Sequence, residues 1–141
     1  MIYADYDYYV NSYFGRSIQE DDFLRFALRA SQYIDYITMG KAEARADLEA
    51  VKMCCCALVE KYQSIEMAKD MVQKSLSSVS ADGSEVQSES VGSWSRSYRS
   101  IGDISREMAE IEEKGKSELY RTAQQHLAPT GILYRGGRCC R

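Results

Sequence analysis

Excess positive charge is the first thing missing. The chain has 18 Lys and Arg against 21 Asp and Glu, a net charge of −3, so the broad basic footprint of a duplex-DNA binder is absent. Long hydrophobic runs are missing as well. No apolar stretch approaches the roughly 20 residues that cross a bilayer, and the opening MIYADYDYYV is acidic and tyrosine-rich where a secretory signal is basic and apolar. The expectation is a protein made and kept in a cytosol-like compartment, with no membrane partner. Spaced cysteines are absent: five Cys occur as Cys54-Cys55-Cys56 and Cys139-Cys140, which is no secreted disulfide framework. Consecutive helical residues point about 100° apart, so the triplet cannot close on one metal ion. Reduced thiols follow, with Cys55 acting as a small buried hydrophobe. Histidine is down to His126, which reads as a helix-end or surface residue rather than a catalyst. No motif pairs a nucleophile with a base or cradles a phosphate in glycines. The chain is expected to have no enzymatic activity, cofactor or metal.

What is present is helical periodicity. Tyr3, Tyr6, Tyr8, Tyr9, Tyr13 and Phe14, set among Asp5 and Asp7, make residues 1–16 a tyrosine-rich segment that packs over a surface. Ser17-Ile18-Gln19-Glu20 has the form of a capping box, and Asp21 and Asp22 suit the positive end of a helix dipole. Phe23, Phe26, Ala27, Ala30, Tyr33, Ile34 and Ile37 then recur at three and four, with Gly40 as a stop. Within this helix Asp35 is expected to pair with an arginine or a helix end. A second helix is predicted from about Lys41 to about Lys74, with Leu48, Val51, Cys55, Leu58, Tyr62, Ile65 and Val72 on one stripe. Ser75 to Ser84 reads as a break. A third helix starts near Asp103 and carries Ile104, Met108, Ile111, Leu119, Ala123 and Leu127. It ends before Pro129, which disfavours helical geometry at Ala128, and Gly115 weakens its middle.

The predicted fold class is therefore mainly α. It is a small bundle of about three main helices over residues 17–127, with an extended or β-hairpin-like arm at 75–102 and a C-terminal tail at 128–141. At period two, Val86, Trp94 and Tyr98 fall on one face of the arm and Glu85, Gln87 and Glu89 on the other, with Gly92 free for a turn or bulge. So few apolar residues cannot bury the only tryptophan. Either the arm is a serine linker, or Trp94 is covered by another chain. The aromatics and charges of Trp94, Arg96, Tyr98 and Arg99 also have the form of a small single-stranded nucleic-acid platform.

Four stretches, in order, resemble the head-tail connector (adaptor, head-completion) proteins of long-tailed bacteriophages: YADYDYYVNSYFGRSI, ALRASQYIDYITMGK, SESVGSWSRSY and LAPTGILYRG. The resemblance implies a structural virion protein made in the host bacterial cytoplasm and located in the neck, at the head-tail interface. It implies a ring, commonly a dodecamer, that binds beneath the portal and continues the channel through which DNA passes without sequence-specific binding. Its expected partners are itself, the portal protein and the next neck or tail-completion protein. Residues Ser90, Val91, Gly92, Trp94, Ser95 and Tyr98 would form an inter-subunit arm, and Gly131, Ile132, Leu133, Tyr134 and Arg135 would dock on the portal. The ending GRCCR departs from the family's usual stop. The alternatives are a non-enzymatic helical adaptor of another multiprotein complex and a nucleic-acid-binding helical protein.

The tail carries a chemical expectation of its own. Gly131 permits a change of direction, and Ile132, Leu133 and Tyr134 form an apolar anchor. Arg135, Arg138 and Arg141 add positive charge with no acid among residues 129–141. An acidic or carbonyl-rich groove is the matching receptor; the competing outcome is that the triplet folds back onto its own bundle.

Overall fold

The structure, a computed structural model, describes residues 1–81 and 101–136. Four α-helices follow in order: α1 (Tyr6–Asn11), α2 (Glu20–Thr38), α3 (Glu49–Ala81) and α4 (Ile101–Leu127). Short 3-10 turns at Glu43–Arg45 and Ala128–Thr130 complete the described chain, which contains no strand. The mainly helical expectation holds. The arm's strand-like pattern, with Ser90, Val91, Gly92, Trp94, Ser95 and Tyr98, lies outside the described residues. Its expected start does not hold, because α3 continues through Ser75 to Ala81. A serine is tolerated there when its hydroxyl turns back on the helix, as Ser75 Oγ does by donating to the Val72 carbonyl at 2.6 Å.

The chain divides into two compact units, Met1–Ser64 with Gly115–Arg141, and Ile65–Lys114. In the first unit the tyrosine-rich segment is itself partly helical. Asp5 caps α1 by accepting from the Tyr8 amide at 2.8 Å. Helix α2 then buries Phe23, Phe26, Ala27, Ala30, Ile34 and Ile37, the face its periodicity predicts. The predicted capping box does not form. Gln19 is the N-cap and makes no side-chain cap bond, because the Ser17 hydroxyl is engaged elsewhere. At the other end Met39 and Gly40 both take positive φ, 55° and 76°, and the Gly40 amide donates to the Asp35 carbonyl at 2.9 Å, which stops the helix. The next helix does not start at Lys41. Thr38 Oγ1 accepts from the Ala42 amide at 3.4 Å, Ala42 is buried, and the chain runs through turns until Leu48 receives the first amides of α3.

Helix α3 is buried on more than one stripe. Cys54, Cys55, Cys56, Ala57, Leu58 and Val59 are consecutive and all buried, so at 100° per residue the helix is covered around its whole circumference here. All three cysteines are free thiols. From α4, Leu119, Ala123 and Leu127 add a buried row at four-residue spacing, and Lys61 pairs with Glu118 at 3.0 Å.

The second unit contains the later part of α3 and the earlier part of α4. Its buried apolar side chains, among the described residues, are Val72 and Ile104. Lys69 and Glu112 form an ion pair at 2.9 Å, while Met67 and Met71 are exposed.

Candidate functional site

The N-terminal tyrosines are fixed by carboxylates far away in sequence. Tyr6, Tyr9 and Phe23 cluster with ring centroids 5.0–6.0 Å apart, and Tyr13 stacks on Tyr9 at 5.7 Å. The Tyr9 hydroxyl donates to Glu60 Oε1 at 2.9 Å, Ser17 Oγ to the same oxygen at 3.2 Å, and Tyr13 to Oε2 at 3.2 Å. The Ser17 amide also donates to the Tyr9 hydroxyl, at 3.3 Å. Glu60 thus collects three hydroxyls. Burial, and then the neighbouring Glu60 carboxylate, pushes the Tyr13 phenol up to about 12, and burial raises Tyr9 as well. Tyr3 donates to Asp35, while its amide donates to Ser31 Oγ at 3.1 Å. Asp35 is therefore paired with a phenol rather than with the arginine or helix end expected of it. Tyr8 donates to Glu49 at 2.6 Å. Gly15 is indispensable to this packing, because a Cβ there would fall on the Tyr9 ring.

Anchoring the segment in this way leaves two concavities. One, of about 610 Å³, is polar, with Tyr13, Glu60, Lys61, Glu118, Arg121 and His126 among its lining. Lys61 holds the Glu118 carboxyl below its ordinary range, and burial lowers His126. His126 stands in the last turn of α4, the helix-end position expected of it, and is half-buried in this groove. The other concavity, of about 750 Å³, lies between the N-terminal segment and the first turns of α2. Ile2, Phe23 and Leu24 line it with apolar surface, and Asp5, Glu20 and Asp21 with carboxylates. Lys52 also lines it, with its ammonium 5.7 Å from the centre of the Tyr8 ring. Leu24 is 61% exposed, an apolar side chain in a groove with nothing over it.

The C-terminal segment is divided by the fold. Thr130 Oγ1 donates to the Leu127 carbonyl at 2.6 Å and accepts from the Ile132 amide at 3.3 Å. Gly131 turns the chain at φ 73° with open space around it, so backbone conformation rather than crowding selects glycine. Ile132 is then buried, at 4% exposure, and Leu133 half-buried, while Tyr134 is 67% exposed and Arg135 exposed. Lys41 fixes the outward end by donating to the Tyr134 carbonyl at 2.7 Å.

Of the five residues expected to dock as one element, Ile132 belongs to the core of its own unit. Tyr134 and Arg135 remain outward. Sequence reasoning missed Glu60, Lys41 and the acid-rimmed groove; of its acids, Asp5 was legible only as part of the tyrosine-rich segment, Glu20 as a capping-box residue and Asp21 as a helix-dipole partner. The chain matches no family model, no curated protein and no solved structure.

Proposed function

We propose that this protein is a structural adaptor of a long-tailed phage neck. In this reading it forms a ring beneath the portal, continues the DNA channel and joins head to tail without catalysis. The portal and the next neck or tail-completion protein are its partners besides its own copies. One observation carries the reading: the C-terminal segment is anchored by Ile132 and holds Tyr134 and Arg135 outward, which is how a subunit built for assembly presents a docking element. The ordered family-like stretches add to it, since the first of them folds into the tyrosine segment that shapes the acid-rimmed groove.

Electron microscopy and native mass spectrometry of the protein, alone and mixed with portal, test the proposal. The expected outcome is a ring seated on the portal, with the emission of Trp94 shifting to the blue on assembly. A protein that neither binds portal nor assembles in its presence overturns it.

A further inference from the structure

The tail's chemistry fits an acidic or carbonyl-rich receptor with apolar surface, and the chain carries a groove of the acidic kind. We infer that the acid-rimmed groove between the N-terminal segment and the start of α2 is the receptor for the segment around Tyr134 and Arg135 of a neighbouring copy. The inference rests on the proposed ring, and it places the tail's receptor on the next subunit rather than on the portal.

Charge and shape complement each other. The groove offers the apolar Ile2, Phe23 and Leu24 together with three carboxylates, Asp5, Glu20 and Asp21, against one cation, Lys52. The incoming segment offers the exposed Tyr134 ring and the Arg135 guanidinium, and the sequence continues with Arg138 and Arg141 and no acid. An aromatic body against apolar side chains, with an arginine at a neighbouring carboxylate, is the usual composition of an interface anchor.

Position keeps Tyr134 and Arg135 away from the Glu20 and Asp21 carboxylates of their own chain. The groove's α2 side is Glu20, Asp21, Phe23 and Leu24, at the N-terminal end of that helix, while Tyr3 on its other side bonds Ser31 and Asp35 farther along. The tail is tied to Lys41, just past the C-terminal end of that helix. The helix spans 19 residues, roughly 28 Å at about 1.5 Å per residue. Allowing for the length of the lysine side chain, Tyr134 stays on the order of 20 Å from Glu20 and Asp21 of its own chain. The tail and the Glu20 and Asp21 carboxylates therefore lie toward opposite ends of α2. A contact of that kind is heterologous: each copy gives a tail to one neighbour and takes a tail from the other, which closes into a ring when the rotation allows it. Tyr36 and Met39, exposed at the tail's end of α2, enlarge the apolar area available there.

A complementation experiment tests the inference. The groove variant is Glu20→Lys with Asp21→Lys and Leu24→Asp; the tail variant is Tyr134→Ala with Arg135→Glu. All five side chains are exposed, so melting temperatures should stay close to wild type and serve as the control for folding. Sedimentation velocity should show self-association weakened about a hundredfold or more in each variant alone. Mixed in equal amounts, the two should form a dimer of one copy each and nothing larger, because only one sound junction remains. Variants that assemble like wild type overturn the inference, as does a mixture that stays monomeric while wild type associates. A wild-type chain that binds portal but never self-associates overturns this contact and leaves portal adaptation standing. Tail-to-groove assembly without portal binding does the reverse.

Discussion

Two stretches of the same long helices are stabilised in different ways. Within the unit of Met1–Ser64 and Gly115–Arg141, α3 is covered all round, six consecutive residues are buried, and Tyr9 and Tyr13 are fixed by Glu60. Within Ile65–Lys114, the described residues bury Val72 and Ile104 and are joined by the Lys69–Glu112 pair. The contrast teaches that helix length is no measure of stability. Helical propensity holds a helix only marginally in water, and tertiary burial of its faces supplies most of the stabilisation. Where α1 and α2 add faces, α3 becomes a core; where two helix segments meet on a narrow stripe, the pairing is open to local unfolding.

The largest effect should come from cutting the same atoms out of each region. Val59→Ala, in the enclosed part of α3, is expected to cost about 2 to 3 kcal/mol, and Val72→Ala about 1 kcal/mol, as read by urea denaturation. Hydrogen exchange should rank the regions in the same way, with amides of residues 51–64 protected longer than those of 65–75. Equal costs and equal protection would erase the distinction between the units.

Next in size are two glycines that both approach a tyrosine ring. A Cβ at Gly15 would strike the buried Tyr9, and one at Gly136 the exposed Tyr134. Gly15→Ala should therefore destabilise by roughly 1 to 3 kcal/mol, since the ring cannot yield without disturbing Glu60 and Phe23. Gly136→Ala should change stability by less than about 0.5 kcal/mol, because Tyr134 can swing away. Differential scanning calorimetry of the two variants decides this.

The enclosed unit should also be the one that feels alkali. Burial raises Cys54, Cys55 and Cys56 above 9.0, and Tyr9 and Tyr13 above 10.0, with Cys56 and Tyr13 pushed to about 12. The folded chain thus keeps protons that the unfolded chain releases. Stability is fully present below pH 9 and falls as pH rises toward 12, the thiols contributing first and the phenols from pH 10 onward. Tyr13→Phe should flatten the fall above pH 10 in denaturation curves taken at several pH values. A slope unchanged by that substitution would show that Tyr13 ionises alike in both states.

The smallest effect should be the ion pair of the second unit. A double-mutant cycle on Lys69→Ala and Glu112→Ala should return a coupling of about 0.5 kcal/mol or less, reduced further by salt. A coupling several times larger would mean that electrostatics, rather than Val72 and Ile104, holds this region.

By itself the sequence determined the features that depend on neighbours within a few residues. The apolar spacing of Phe23, Phe26, Ala27, Ala30, Ile34 and Ile37 marks the inner face of α2. Gly40 and Pro129 mark helix ends, and Gly131 marks the turn into the tail. Such signals are local because a helix repeats every 3.6 residues and its ends need special backbone angles. Tertiary structure alone decided where the polar groups went. Ser17, placed to cap a helix, serves Glu60; Asp35 accepts from Tyr3, 32 positions away, and Glu60 from Tyr9, 51 positions away. It also decided that Cys54, Cys55 and Cys56 are buried together, and that Ile132 turns inward while Tyr134 stays out. A hydroxyl or carboxylate takes whichever partner the packed chain brings within about 3 Å, and that partner is set by how the helices pack rather than by residues adjacent in sequence.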